Sequence, residues 1–162
     1  MSRLLERLRK HREDRGMMAD LRCVLVGNKK HRAWPALNRL GVAIDDRISA
    51  YVVGLFATHP DESSAGNFGD TCKAIEKRRH DTQSDDGKLT PTERRFQHLL
   101  TAERGDELQE RVLRLVLMAK SQGISVNYEK LETDLKFWGD RTRLEWATTF
   151  WAQGAPSTEE AK

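Results

Sequence analysis

Leu108, Val112, Leu115, Val116 and Ala119 fall at i, i+4, i+7, i+8 and i+11, the spacing of one α-helical face. Tyr128, Leu131, Leu135 and Trp138 repeat the pattern at 0, 3, 7 and 10, and Leu144, Ala147, Phe150 and Trp151 form a further stripe. Phe96, Leu99 and Leu100 supply an apolar face to the segment before them. Start and stop signals frame these stripes. Thr90-Pro91-Thr92-Glu93 is a capping box with Pro at the first helical position. Gly123 ends the second stripe and Gly139 breaks the chain after the third. Four amphipathic helices with short links predict an antiparallel four-helix bundle over residues 90–152.

The first half reads as helical too. Residues 1–15 predict a basic helix or arm with Leu4, Leu5 and Leu8 on one side. Leu21, Val24 and Leu25 mark the next helix, ending near Gly27, and residues 28–32 form a basic turn. Trp34, Leu37 and Leu40 predict a short helix closed by Gly41. Asp45 is placed to cap a helix through Ile48, Val52, Leu55 and Phe56, and a basic helix is expected from Thr71 to about His80. Residues 16–80 thus read as an N-terminal helical subdomain. The polar stretch 81–89 is the expected boundary, and residues 153–162 read as a disordered tail. Leu and Ala total 32 residues against 12 for Val and Ile, a bias toward helix over sheet. The fold class expected is all-α, in two small helical subdomains.

Several functions are excluded or disfavoured by what the sequence lacks. It has no apolar run long enough to span a bilayer and no apolar segment after its basic start, so no membrane partner or secretion signal is expected and the location reads as cytoplasmic. Cys23 and Cys72 read as free thiols. None of His11, His31, His59, His80 and His98 lies at i, i+3 or i+4 from another His or a Cys, so no metal site, and no cofactor, is expected. Asp45-Asp46 and Asp85-Asp86 suit a cap and a loop rather than catalysis. Nothing in the sequence argues for an enzyme.

Charge is distributed unevenly. The net charge is +3, but residues 1–40 carry 11 Lys/Arg against 4 acids, while residues 41–70 carry 1 against 5. A basic sector on a near-neutral body fits a phosphate-binding footprint or a solvated helix face. Ala119, Gly123 and Ile124 also fit a helix-turn-helix pattern over residues 108–138. Its second helix would carry Glu129, Glu132 and Asp134 against Lys130 and Lys136, a balance that phosphates repel, so an ordinary turn is the better reading. A stand-alone DNA-binding regulator stays as the alternative function.

An ordered series of short motifs runs through the chain: A-D-L-R at 19–22, L-F-A-x-H-P at 55–60, G-N-F-G at 66–69, E-R-R-F-x-x-L-L-x-A-x-R at 93–104, L-x-x-x-V-x-x-L-V at 108–116, L-x-x-D-L-x-x-W at 131–138 and W-A-x-x-F-W at 146–151. Together they resemble the small subunit of the type I-E CRISPR Cascade complex, the CasB family. The resemblance implies an all-helical, non-catalytic subunit of an RNA-guided ribonucleoprotein. Its partners would be the backbone and large subunits, a second copy of itself, guide RNA and single-stranded DNA. Its basic surface would stabilise the displaced strand of the R-loop.

The resemblance carries over unevenly. Arg22 matches a basic position after A-x-L, although Cys23 stands where a further Arg is often found, and Arg94, Arg95 and Arg104 match the E-R-R-F motif. Lys29, Lys30, Arg32, Lys73, Lys77, Arg78 and Arg111 are added as nucleic-acid contacts on charge and position alone. Tyr128 stands where Trp is common. Arg94 and Arg95 diverge by about 100° around a helix, so they cannot face one groove equally.

Overall fold

The computed structural model describes residues 3–79 and 88–152. Nine α-helices account for most of these residues: α1 (Arg3–Lys10), α2 (Arg15–Arg22), α3 (Trp34–Arg39), α4 (Arg47–Thr58), α5 (Phe68–Arg79), α6 (Pro91–Leu100), α7 (Asp106–Gln122), α8 (Tyr128–Lys136) and α9 (Asp140–Phe150). Two 3₁₀ segments, Cys23–Leu25 and Gly27–Ala33, join α2 to α3. One isolated parallel bridge pairs Glu62 with Val126. The fold class is all-α. The expected boundary at 81–89 lies mostly, and the expected tail wholly, outside the described residues.

Local chemistry sets the helix starts. The Thr90 hydroxyl accepts from Glu93 N at 3.0 Å while the Glu93 carboxylate accepts from Thr90 N at 2.9 Å, closing the expected capping box. Asn127 caps α8 by accepting from Lys130 N. The cap of α4 is Asp46, which accepts from Ser49 N, not Asp45 as expected. Helix α5 starts earlier than expected, at Phe68. The Asn67 side chain accepts from Gly69 N, and Asp70 reaches back to Asn67 N, so both orphan donors are satisfied. The sequence from Leu21 to Gly27 is not one helix. It tightens from α2 into 3₁₀ at Cys23.

Packing is organised around α4. Its residues 49–57 are all buried, so it is covered on every side. Helices α2 and α8, with the Cys23–Leu25 segment, pack on it most closely, and α7 touches it as well. Gly54 is where the 3₁₀ segment comes nearest: a Cβ there would meet Leu25 Cγ at 3.0 Å and Val24 Cβ at 3.2 Å. Helix α5 packs chiefly on α9, then on α7 and α6. The buried apolar side chains form one cluster from Leu4 to Phe150.

The loops before α5 and before α8 meet to link these layers. Val126 N donates to Asp61 O at 3.0 Å and Ser63 N to Val126 O at 2.9 Å. Alongside, Arg9 of α1 donates to both Glu62 and Glu129. Buried Tyr128 donates to His59 O at 2.7 Å, and His59 Nε2 lies 2.6 Å from Ile124 O.

Two expected apolar stripes differ in detail. Leu144 is 66% exposed and Trp151 39%, whereas Thr142, Trp146 and Phe150 face inward on α9. Trp146 turns inward because its indole N–H has a buried partner, Asp134, at 2.8 Å, and its ring packs on Phe68 and Trp138. On α3 and its C-cap, Leu37 and Leu40 are buried but Trp34 is 46% exposed.

Two predictions follow from this packing. A Cβ at Gly69 would collide with the carbonyl of Trp146, well inside contact distance. Gly69→Ala should therefore lower stability by about 1–3 kcal/mol in urea unfolding, despite the better helix propensity of Ala. Burial also raises the phenols of Tyr51 and Tyr128 above their ordinary value of 10.0. An unfolded chain ionises both near pH 10 while the folded one does not. This contribution to stability is complete below about pH 10 and is lost as pH rises beyond it. Absorbance of tyrosinate at alkaline pH should rise together with loss of helical circular dichroism, not before it.

Candidate nucleic-acid interface

Eleven cations were expected to contact nucleic acid, and the structure divides them by what they already touch. Six donate to backbone carbonyls of the protein. Arg22 Nε reaches Ala57 O at 3.1 Å near the end of α4, and Arg78 Nη1 reaches Gln122 O at 2.6 Å at the end of α7. Arg104 reaches Lys136 O and Trp138 O after α8, and Lys73 Nζ reaches Ala152 O after α9. Arg94 Nη1 donates to Leu89 O at 2.8 Å. Arg111 donates to His98 O, to the Thr101 hydroxyl and to Glu107, and its side chain is only 20% exposed.

Most of the Arg111 hydrogen-bonding capacity is thus used inside the protein, where it braces α6 against α7. The His98 carbonyl at the end of α6 also accepts from Thr101 N and the Thr101 hydroxyl, and the negative end of the helix dipole there favours a cation from the neighbouring helix. Arg22, Arg78, Arg94 and Arg104 remain exposed and keep further N–H groups toward solvent. The contacts they already make fix where their charge sits.

The other five, Lys29, Lys30, Arg32, Lys77 and Arg95, are exposed and have no side-chain partner among the described residues. Lys29, Lys30 and Arg32 stand together on the Gly27–Ala33 segment. Exposed Trp34 follows directly, and His31 meets its ring in a T-shaped contact at 6.3 Å. Arg94 and Arg95 line a shallow open trough along α6 with Gln97, His98 and Thr101, a surface without acids. The divergence of Arg94 and Arg95 around the helix is resolved by their partners: Arg94 bends to the Leu89 carbonyl and Arg95 stays in solvent. Lys77 lies on α5, which packs on α6.

Sequence reasoning missed three members of these surfaces: Arg39, Gln97 and His98, all exposed. One signal was available for the first, since residues 21–44 contain five Lys/Arg and no Asp or Glu. Among the described residues no group of three or more His, Cys, Asp or Glu is arranged to hold a metal ion. Cys72 is buried, and burial pushes its thiol up, which opposes the thiolate form needed for reactivity.

The helix-turn-helix alternative meets a specific obstacle. In α8, Tyr128, Leu131, Glu132, Asp134 and Leu135 are buried, and the helix packs on α4. Lys130 pairs with Asp134 at 3.1 Å, and Lys136 with Glu132 at 3.1 Å. A recognition helix needs a free face with uncommitted polar side chains. Helix α8 is a core element with its cations neutralised.

The class defined by the fold is an all-helical scaffold that carries exposed, unpaired cations on its surface. Residues 17–151 match the family described as CRISPR-associated protein Cse2, and the chain belongs to that family. It is accordingly a structural subunit of a CRISPR Cascade complex. A solved structure, the crystal structure of M. ruber CasB, shares the fold with a TM-score of 0.69 at 22% identity, over 99% of this chain and 97% of that one. No curated protein matches the sequence. Among the described residues no helix is long and apolar enough to cross a membrane.

The division of the cations makes a prediction about stability. Lys29→Gln, Lys30→Gln and Arg32→Gln together should leave the unfolding midpoint within about 0.5 kcal/mol of the parent, because no intramolecular contact is lost. Arg111→Met should cost about 1–2 kcal/mol, because it strips a charge-assisted hydrogen-bond set from the end of α6. Urea titration of both variants separates the two kinds of cation.

Proposed function

We propose that this chain is a non-catalytic subunit of a type I-E interference complex that steadies the R-loop by contacting phosphates of the displaced DNA strand. The observation behind this reading is the set of exposed cations without internal partners, Lys29, Lys30 and Arg32 on the Gly27–Ala33 segment and Arg95 on α6. A protein that only needed solubility would gain as much from cations paired with neighbouring acids, as on α8. Unpaired Lys and Arg keep their full charge available to release counterions from a phosphate backbone.

R-loop formation is a near-balanced exchange of one duplex for another, so a few such contacts are enough to shift it. The backbone and large subunits, a second copy of the chain, guide RNA and single-stranded DNA are the partners of this reading, and the cytoplasm its place. Contact through phosphates requires no base recognition, which suits a complex whose sequence reading is done by the guide.

The test is R-loop lifetime on duplex DNA, with the guide complex assembled around the parent chain or a variant. Replacing Lys29, Lys30 and Arg32 by Gln should shorten the lifetime most at low salt. The log–log salt slope should flatten by about two, at roughly 0.7 per single-strand phosphate contact. Arg95→Gln should act in the same direction with about a third of the effect. An unchanged lifetime in a complex of normal composition would remove these residues from the interface.

A further inference from the structure

Trp34 is 46% exposed although Ala33 before it and Ala36 and Leu37 after it are buried. Ala33, Ala36 and Leu37 on either side are each at most 1% exposed, so the backbone beneath the indole is fixed by the core. Pro35 restricts the same turn. The ring is thus held in place and offered to solvent, which water does not favour for so large an apolar group.

Its surroundings are cationic. Lys29, Lys30 and Arg32 precede it without partners, His31 touches its ring, and Arg39 follows on α3. No acid occurs between residues 21 and 44. The cleft beside the ring, lined in part by Lys30, Ile44 and Arg47, encloses only about 90 Å³, too little to swallow a nucleobase. A flat ring beside such a cleft can meet a base by its face, with the cations meeting the phosphates on either side.

We propose that Trp34 is a stacking platform for one unpaired base of a single strand, flanked by the phosphate-binding cations Lys29, Lys30 and Arg32. This rests on the single-strand contact proposed above and adds a base-dependent, sequence-tolerant term to it, because every base has a π-face. Exposed Val26 and Ile44 make a protein partner the competing occupant of the same surface. Lys29, Lys30 and Arg32 are unpartnered, and the ion pair at the cleft, Arg47 with Asp106, involves none of them, which favours the polyanion.

The test uses the full chain and fluorescently labelled oligo-dT, followed by anisotropy from about 50 to 200 mM NaCl. An oligomer of the same length lacking all bases is the control. The parent should bind oligo-dT more tightly than the abasic strand. Trp34→Ala should weaken oligo-dT binding by roughly fivefold to a hundredfold, the range for losing one stacked base, and leave abasic binding and the salt slope unchanged. Trp34→Phe should restore most of the loss. The Lys29, Lys30 and Arg32 glutamine variant should instead flatten the salt slope for both strands.

Equal loss on both strands, or none, would overturn the stacking role while leaving the phosphate contact standing. Normal oligo-dT binding by Trp34→Ala, combined with its failure to enter a reconstituted complex, would assign the ring to a protein partner instead. No binding of either strand by the parent chain would overturn the stacking role together with the direct single-strand contact beneath it.

Discussion

A helix that is apolar on every side must be surrounded before it is stable, and α4 is such a helix. Its residues 49–57 leave no polar stripe to face water. Helix α2 and the 3₁₀ turn cover it from the N-terminal side of the chain, and α8 and α7 from the C-terminal side. The requirement explains why the chain does not fold as a series of neighbouring hairpins. It also explains why the 3₁₀ turn lies so close at Gly54, where a side chain would meet Val24 and Leu25. Burial of α4 therefore fixes the Cys23–Ala33 region, which carries the unpaired cations, onto the core.

Surrounding a helix hides its end, and hidden carbonyls need donors. Tyr128 supplies the carbonyls of Leu55 and His59, and Arg22 that of Ala57, so the end of α4 is satisfied from α8 and α2. The same solution recurs. Arg7 caps Leu40 after α3 at 2.6 Å, Arg78 caps α7, Arg104 caps α8, and Arg111 and Arg143 serve the end of α6. In each case a guanidinium from another part of the chain ties itself to a carbonyl at or just past a helix end and opposes the negative end of the dipole. A high arginine content is thus partly architecture. Counting basic residues therefore overestimates the number of uncommitted charges, and Arg111 is the clearest case.

What the sequence made legible depended on how local the cause was. The capping box at Thr90, the stripe of α7 and its end at Gly123 are encoded within a few residues, and each stands where the spacing puts it. The pairing of α5 with α9 and of α8 with α4 is not encoded locally. It rests on long-range fits such as Gly69 beneath the Trp146 carbonyl and Trp146 against Asp134. The stripe through Leu144 failed for the same reason, since the buried Asp134 selects Trp146 for the interior of α9. Trp34 failed in the opposite sense: its spacing matches a core position, yet it is 46% exposed while Ala33, Ala36 and Leu37 around it are buried. Among the cations, charge and motif located the region but could not separate a brace from a free side chain. Separation requires the hydrogen-bond partner, which is a tertiary fact.

The unpaired cations now have a physical meaning that their number alone lacks. Folding leaves Lys29, Lys30 and Arg32 exposed together on a segment anchored by buried Ala33, so their positions are constrained although their charges are not spent. Exposed, unpaired charges on a fixed segment attract phosphate at long range and release it readily as salt rises. On the proposed reading that is the right strength. A subunit that held the displaced strand tightly would trap an R-loop whatever its guide had matched, whereas one that adds a small, uniform term leaves discrimination to base pairing. The fold serves this by making the arginines that need permanence structural and leaving the lysine-rich segment free.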